Sequence, residues 1–186
     1  AADEAIVRGV GLEIINAWGS HHLLSPDGGH IDRAPFELEG RAILDDAIAS
    51  LSALTAMPPD VSAVLAEDDA ATALVRVAED AALLVVGSRG RGGFAGLLLG
   101  SVSQRCVDHA PCPVAVITPA WDGTTHGRVV VGVDDSDASY GALHWAIAEA
   151  VRRQAQLDVV NAYGFHHYPS PYGPTVAGDQ VQSEKW

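Results

Sequence analysis

The chain has 186 residues, of which 48% are hydrophobic and 19% are charged, a composition that suits one compact core and is short for two. Its 24 acidic residues against 11 basic ones give a formal net charge of −13, so we expect no nucleic-acid partner unless a local patch reverses the sign. With two cysteines, no signal-peptide pattern and no apolar run near ~20 residues, we expect a cytoplasmic globular protein without a membrane partner.

Strand and helix patterns alternate along the chain. In chain order, we predict a strand at 12–18, a loop at 19–35, a helix at 36–57, a strand at 61–66, a helix from Asp68 or Asp69 to about 81, a strand at 83–87, a glycine loop to 100, a helix at 101–109, a strand at 113–117, a polar linker, a strand at 128–133, a helix at 138–154 and a strand at 157–163. This alternation predicts an α/β sandwich around a parallel sheet.

A repeat with a period of 145 residues relates the two ends of the chain. Residues 5–26 align with residues 150–171, and Asn16 meets Asn161. A period of this length indicates a domain-sized duplication. We therefore expect a window from a longer tandem protein, with residues 1–118 as a first repeat without its opening strand, 119–127 as a linker and 128–186 as the start of a second repeat.

The segment VVGSRGRGGFAGLLLGSVS, residues 85–103, carries the clearest chemical signal. Six of its glycines follow a buried strand and precede a helix that begins at Ser101. Glycines at such a place let backbone N–H groups approach an anion, and the helix start adds unpaired donors. Residues 81–107 hold three arginines and no acidic residue. The pattern predicts a phosphate site, although a glycine-rich stretch can also be only a flexible loop.

The spacing Gly87-x2-Gly90-x9-Gly100-Ser101 resembles the G-x2-G-x9-G-(S/T) motif of the universal stress protein family, in its ATP-binding branch. LEIINAW at 12–18, CVDHAPCPVAVI at 106–117 and RVVVGVDDS at 128–136 resemble other segments of the same family. The resemblance implies a Rossmann-like sandwich, similar to the adenine nucleotide alpha hydrolases, with five parallel strands in the order 3-2-1-4-5. It also implies a homodimer or an intramolecular tandem pair.

The same resemblance implies that the ligand is ATP, alone or with Mg²⁺. The glycines of the motif with Ser101 and Ser103 would hold the phosphates and ribose, Asp134 would lie near the ribose and adenine, and Ala17, or Ala162 in the second repeat, would line the adenine pocket. The full set of expected nucleotide-binding residues is Val86, Gly87, Arg89, Gly90, Gly100, Ser101, Val102, Ser103, Val133, Asp134 and Ala17.

Neither repeat carries the whole motif set of the family. The first repeat has the glycine loop but not the opening strand and its aspartate. The second repeat has the opening strand and its aspartate but not the glycine loop. One complete site requires residues 128–134 to lie beside residues 83–86 in a single sheet, a circularly permuted arrangement. In an intact tandem protein the same linker would lead into a second domain. We expect weakened ATP binding that depends on Asp134.

Other residues that could carry chemistry have plainer explanations. His21-His22 and His166-His167 are expected to be loop histidines and not metal ligands. Cys106 and Cys112 are expected to be small buried residues and not a redox pair. The acidic run at 134–137 fits either Mg²⁺ bound with a nucleotide or the cap of the next helix. We therefore predict no metal site from the protein alone.

Two functions remain open. The first is a nucleotide-binding regulatory protein of the stress response, and the second is a slow ATPase or phosphotransferase that uses the same pocket. Phosphoryl transfer needs a charge clamp, a metal and a group that orients the nucleophile. Lys185 is the only lysine, and no base stands out, so binding without enzymatic activity is the preferred prediction.

Overall fold

The computed structural model describes residues 1–19, 32–54, 56–90, 99–124, 126–163 and 180–185. The chain divides into two compact units, residues 1–122 and residues 123–186. Within the described residues, no helix is long and apolar enough to cross a membrane.

The first unit contains four helices and four strands among its described residues. They are α1 (Ala2–Arg8), β1 (Leu12–Ala17), α2 (Ala34–Leu51), β2 (Val61–Ala66), α3 (Ala70–Val77) with a 3-10 turn at Ala78–Asp80, β3 (Leu84–Gly87), α4 (Ser101–His109) and β4 (Val114–Ile117). The second unit contains β5 (Arg128–Gly132), α5 (Asp137–Arg153), β6 (Gln156–Tyr163) and β7 (Gln180–Lys185).

The strands of the first unit form two parallel pairs. β1 pairs with β2, with Leu12 opposite Val61, and β3 pairs with β4, with Leu84 opposite Val114. Parallel strands joined by helices confirm the predicted α/β class. The strand order 3-2-1-4-5 stays a prediction, because the described strands form separate pairs and not one five-stranded sheet.

The core of the first unit packs α4 against β3. Cys106 of α4 is fully buried and lies in one cluster with Ala78, Leu84 and Val86. Val102 of α4 packs on the same cluster. Because two residues of α4, one turn apart, are anchored in this core, the amino end of the helix is held close to the carboxyl end of β3.

The second unit is a three-stranded sheet with α5 packed on it. β5 and β6 are parallel, with Arg128 opposite Gln156, and a core of Val131, Ala146 and Leu157 joins them to the helix. In this unit β5 is paired with β6. Whether residues 128–134 also join the sheet of residues 12–117, as the permuted arrangement requires, stays a prediction.

β7 was not predicted, and it makes this sheet mixed, because it runs antiparallel to β6. The segment QVQSEK contains one apolar residue, so no apolar alternation marks it as a strand. Pairing with the backbone of β6 stabilises the extended conformation of this segment. Such a tertiary contact cannot be predicted from a local sequence pattern.

Two predicted helix ends were wrong. The helix predicted to reach residue 57 ends at Leu51, because Ser50 and Ser52 donate their hydroxyls to backbone carbonyls of the last turn and begin an irregular turn well before Pro58. The helix predicted to reach residue 81 ends at Val77 and continues as the 3-10 turn. The remaining predicted helices agree with α4 and α5 to within one residue.

Candidate functional site

Ser88 fixes the start of the glycine loop to the start of α4. Its N–H donates to the carbonyl of Ile117 at 2.8 Å, which continues the β3–β4 pairing. Its own carbonyl accepts the N–H of Gly100 at 2.7 Å and the hydroxyl of Ser103 at 3.0 Å. Ser88 and Ser103 are both buried. The first residue after β3 is therefore bonded directly to the first turn of α4.

The amino end of α4 presents backbone donors with few acceptors among the described residues. Gly100 is its cap residue, with an extended backbone (φ −79°, ψ 165°), and no side chain caps this helix among the described residues. The N–H groups of Ser101, Val102 and Ser103 have no acceptor within the helix. The first turn contains no acidic residue, so the partial positive charge of the helix end is not neutralised there.

Two of the predicted phosphate-binding residues are used inside the loop. The Gly100 N–H is donated to Ser88, and the Ser103 hydroxyl donates both to Ser88 and to the carbonyl of Gly100 at 2.9 Å. Both residues therefore hold the described ends of the loop together. The described backbone groups that remain open to an anion are the N–H groups of Ser101, Val102 and Ser103.

The other predicted loop residues differ in exposure. Val86 is a core residue, whereas Gly87, Arg89 and Gly90 are exposed. A Cβ atom on Gly90 would meet no atom within 4 Å. Arg91 and the glycines at 92, 93 and 96 lie outside the described residues.

Arg105 on α4 is paired with an acidic residue of α3. Its guanidinium lies 3.6 Å from the carboxylate of Asp69, which caps α3 by accepting the N–H of Thr72 at 3.1 Å. The hydrogen bond from the Thr72 backbone, more than the nearby Arg105 charge, lowers the pKa of Asp69. The pair joins the two helices. Arg89, at the described start of the loop, is exposed.

A cavity of about 340 Å³ lies at the carboxyl end of β1. Ala17, predicted to line the adenine pocket, lines it together with Asn16, Trp18, Phe36 and Ile43. These walls combine apolar and aromatic surface with two polar groups, the Asn16 amide and the Glu39 carboxylate. Apolar walls with a few polar groups suit a flat heteroaromatic group.

Gly40 allows α2 to approach the strands beside this cavity. A Cβ atom there would lie 2.6 Å from Cδ1 of Leu65 and 2.9 Å from the side-chain oxygen of Asn16. Both distances are shorter than a normal contact, so a larger residue would displace the side chains of Leu65 and of Asn16, and Asn16 lines the cavity.

The loop and this cavity lie on the same side of the first unit. The amino-terminal parts of β1 and β3 line a common second cavity, together with Asp60 before β2 and Ala81 before β3. The two strands therefore run in the same direction, and their carboxyl ends, at Ala17 and Gly87, point to the same edge. In parallel sheets this edge is where ligands bind.

Asp134 lies in the second unit, where it organises the start of α5. Its carboxylate accepts the hydroxyl of Ser136 at 2.6 Å and the N–H of Ser136 at 3.1 Å, and these bonds lower the pKa of Asp134. Ser136 in turn caps α5 by accepting the N–H of Ser139. The capping interpretation of the acidic run is confirmed, and a contact of Asp134 with nucleotide or Mg²⁺ stays a prediction.

Ser88 and Asn161 were not singled out from the sequence. Asn161 in β6 donates its side-chain amide to the carbonyl of Val133 at 2.7 Å, which fixes the backbone next to Asp134. The repeat contained the signal, because Asn161 and its counterpart Asn16 are matched polar residues in apolar strands. Nothing in the local pattern distinguishes Ser88 from an exposed loop serine.

The other predicted sites have mixed outcomes. Cys106 is fully buried, and burial raises the pKa of its thiol, which makes it a poor nucleophile. Cys112 is half-buried and is also a free thiol. No group of three or more potential metal ligands occurs within the described residues. The paired histidines at 21–22 and 166–167 lie outside those residues.

Comparison with known proteins gives one consistent family. The model of the universal stress protein family matches residues 1–118 and 125–184. Universal stress protein Rv2623 of Mycobacterium tuberculosis is 40% identical over 129 residues, which cover 67% of this chain and 43% of that protein. A universal stress protein of Mycolicibacterium smegmatis is 40% identical over 121 residues, 64% of this chain and 40% of its own.

A third relative, universal stress protein Rv1996 of Mycobacterium tuberculosis, is 44% identical over 92 residues, which cover 48% of this chain and 29% of that protein. The chain thus spans less than half the length of the relatives that it matches.

Proposed function

The chain belongs to the universal stress protein family, and we propose that its first unit binds an adenine nucleotide, ATP in the first instance, as a regulatory ligand. Membership of the family implies a role in the stress response. In the proposal the phosphates lie at the amino end of α4 and the adenine lies in the cavity at the carboxyl end of β1.

The observation that carries the proposal is the uncapped start of α4. Backbone N–H groups at a helix start bind phosphate oxygens without any charged side chain. Here the groups of Ser101 and Val102 follow a glycine with an extended backbone, and no acidic residue lies in the first turn. The bonds from Gly100 and Ser103 to Ser88 keep these donors in place before a ligand arrives, so little ordering is needed on binding.

The cavity supports adenine as the base. Trp18, Phe36 and Ile43 supply apolar surface, and the Asn16 amide offers one donor and one acceptor to the ring edge. Because β1 and β3 end at the same edge of the unit, one ligand with an aromatic base and a charged tail fits both features better than a simple anion does.

The proposal is binding and not turnover. Phosphoryl transfer requires groups that clamp the developing charge and orient a nucleophile. The groups that favour a nucleotide here are backbone amides and an exposed hydroxyl on Ser101, which hold phosphate without activating water. Any Mg²⁺ would arrive with the ATP.

Replacing Ser101 with proline tests the phosphate contact. Proline is tolerated at the first position of a helix, and the extended backbone of Gly100 suits a residue that precedes proline. Ser101→Pro therefore removes one N–H donor while it preserves α4. A hydrogen bond to a charged group contributes about 1.5–3 kcal/mol, so calorimetry should show ATP affinity reduced by about tenfold or more.

Ser101→Ala is the matched control, since it removes the hydroxyl and keeps the N–H. Its ATP affinity should stay within a few-fold of the parent chain. Equal affinity of the proline and alanine variants would show that this N–H does not contact phosphate, and an absence of ATP binding by the parent chain would overturn the proposal.

Asp134→Ala tests the contribution expected from the family resemblance. A marked loss of ATP affinity would support a nucleotide contact by Asp134. An affinity equal to that of the parent chain would show that the first unit binds the nucleotide without it. Ser139→Ala serves as the control, because it alters the same capping turn and keeps the carboxylate.

A further inference from the structure

The starts of α3 and α4 are joined by a salt bridge. Asp69, the cap residue of α3, follows the carboxyl end of β2 at Ala66 by three residues. Gly100, the cap residue of α4, is bonded to Ser88, the first residue after β3. The guanidinium of Arg105 in α4 lies 3.6 Å from the carboxylate of Asp69. This Asp69–Arg105 pair therefore lies at the edge of the first unit where the strands end.

The pair is close to the cavity proposed for adenine. A Cβ atom on Gly19 would lie 3.3 Å from the carbonyl oxygen of Asp68 and 3.7 Å from Cα of Asp69. Gly19 follows Ala17, which lines the cavity, by two residues. The aspartate of the pair is thus beside the chain that leaves the cavity, and the arginine belongs to the helix that presents the phosphate donors.

Arg105 is also placed to reach the amino end of α4. It lies four residues after Ser101, so the two side chains occupy one face of the helix. Four residues of an α-helix rise about 6 Å, a distance that an arginine side chain can span. Because helical side chains lean toward the amino end of their helix, an arginine in the second turn is directed back over the first turn.

The pair can separate without leaving a buried charge. Its distance is longer than a hydrogen bond, whereas Arg76 lies 2.9 Å from Asp68 in the neighbouring pair. The side chains of Arg105 and Asp69 are 59% and 43% exposed. Asp69 also has other partners, because the same carboxylate oxygen accepts the N–H of Thr72 at 3.1 Å and its hydroxyl at 3.2 Å.

A phosphate is a stronger partner for Arg105 than this carboxylate. An ion pair between side chains this exposed contributes little to stability, because water screens both charges. A guanidinium can donate two parallel hydrogen bonds to one phosphate group, and such charge-assisted bonds are short and strong. A phosphate chain at the amino end of α4 would therefore compete with Asp69 for the arginine.

We propose that Arg105 is a phosphate-binding residue that exchanges partners. Without nucleotide it pairs with Asp69, and with nucleotide it donates to a phosphate oxygen beside the open N–H groups of α4. This role rests on the proposed function, since it requires a nucleotide at this place. It adds a charged donor to the backbone donors. It also means that binding removes one contact between α3 and α4, so α3 responds to the nucleotide.

Calorimetry with ATP and with adenosine tests the role of the arginine. Arg105→Gln should reduce ATP affinity about tenfold and leave adenosine affinity within about twofold, because adenosine has no phosphate. Arg76→Gln is the matched control, since it removes an arginine of similar exposure from the neighbouring pair with Asp68. The control should bind both ligands as the parent chain does.

Asp69→Asn tests the exchange itself. Asparagine caps a helix as well as aspartate does, so α3 keeps its start while the competitor for Arg105 loses its charge. ATP should bind about threefold more tightly, and Asp68→Asn, the same change in the neighbouring pair, should have a smaller effect. Loss of a negative charge could favour ATP without any exchange. In the Arg105→Gln chain, Asp69→Asn should therefore change ATP affinity by less than about twofold.

NMR gives an independent readout of the exchange. The Nε–H signal of Arg105 should shift with ATP and not with adenosine. The Thr72 amide, which stays bonded to Asp69, should shift little with either ligand. A shift of the Arg105 signal that is equal for the two ligands would contradict the exchange.

The results distinguish a failure of this role from a failure of the proposed function. An absence of ATP binding by the parent chain would overturn both. ATP binding that Arg105→Gln leaves unchanged would overturn the role of the arginine alone. An effect of Asp69→Asn that is equally large with and without Arg105 would do the same, because the aspartate would then act only by its own charge.

Discussion

At the residue scale, the buried Ser103 hydroxyl connects the start of the glycine loop to the first turn of α4. It joins the carbonyls of Ser88 and Gly100, one on each side of the loop. Both carbonyls also accept backbone N–H groups, from Gly100 and from Gln104. Removing the hydroxyl therefore weakens the loop without leaving a carbonyl unpaired.

Ser103→Ala should destabilise the junction of β3 and α4 by about 1 kcal/mol, the usual net value of one hydrogen bond. Native-state hydrogen exchange at the Gly100 amide should accelerate about fivefold, which corresponds to that energy, and ATP affinity should fall. Ser101→Ala, which removes an exposed hydroxyl, is the control. An unchanged exchange rate of the Gly100 amide in the Ser103→Ala variant would contradict the role of the Ser103 hydroxyl in stabilising the junction of β3 and α4.

Asp134 gives a prediction for pH. Hydrogen bonds from Ser136 lower the pKa of its carboxyl below the ordinary value of 3.8. A carboxyl whose pKa is lowered in the folded state stabilises that state above the unfolded pKa, and this contribution is lost as the pH falls through the folded value. The second unit should therefore keep this contribution at neutral pH and lose it only in acid, below about pH 4.

A carbon NMR titration of the Asp134 carboxyl checks this expectation. Ser136→Ala should raise the pKa of Asp134 toward 3.8, because it removes the largest stabilising bond. Ser136→Thr keeps the hydroxyl and should leave the pKa low. Identical titration curves for the alanine and threonine variants would refute the assignment.

At the scale of elements, two helical glycines make a matched pair. Gly40 in α2 has Leu65 and Asn16 within 3 Å of where a Cβ would lie, whereas Gly141 in α5 has open space around it. Alanine is better than glycine in a helix by about 0.8–1 kcal/mol, so only the surroundings distinguish the two sites.

Gly141→Ala should raise the stability of the second unit by about 0.5–1 kcal/mol. Gly40→Ala should give the first unit less than this gain or none. It should also lower ATP affinity, because the Asn16 side chain, which lines the cavity, must move. Urea unfolding followed by helical circular dichroism, together with calorimetry, measures both effects. Equal stabilisation by the two substitutions, with unchanged ATP affinity, would show that α2 does not pack as closely as described.

Elements with their own signal could be predicted from the sequence, and elements that depend on distant partners could not. The apolar run that became β3 and the starts of α4 and α5 are local, and they agree with the structure to within a residue. The early end of α2 rests on serine-to-backbone bonds, and β7 rests on pairing with β6. The spacing of apolar residues predicts neither the serine-to-backbone bonds nor the pairing of β7 with β6.

The candidate site divides in the same way. Glycine spacing located the loop and the start of α4, because glycines and helix-start residues can be recognised in the sequence without knowledge of the fold. The spacing did not show that the Gly100 N–H and the Ser103 hydroxyl both donate to the carbonyl of Ser88. These bonds depend on the burial of Ser88 between β3 and α4. The open donors are consequently the backbone N–H groups of Ser101, Val102 and Ser103.

At the scale of the whole molecule, the 145-residue repeat is present in the structure as well as in the sequence. Gly9 and Gln154, 145 residues apart, both end a helix with a left-handed backbone, at φ 65° and φ 50°. The strands that follow them are both parallel to a neighbour. One unit therefore serves as an internal reference for the packing of the other.

The central claim is that adenine nucleotide phosphates lie on the amino end of α4. A titration of the nitrogen-15-labelled chain with ATP, followed by NMR, tests it directly. The amides of Ser101 and Val102 should shift most, with smaller shifts at Asn16 and Ala17.

Gly100→Arg should weaken the response by several tens-fold, because its side chain covers the donors. Gly100→Ala should preserve the response, since its Cβ would meet Ser88 and Arg89 at an ordinary 3.6 Å and the backbone there is not left-handed. Shifts confined to other residues, or equal titrations of the parent chain and the Gly100→Arg variant, would contradict the claim.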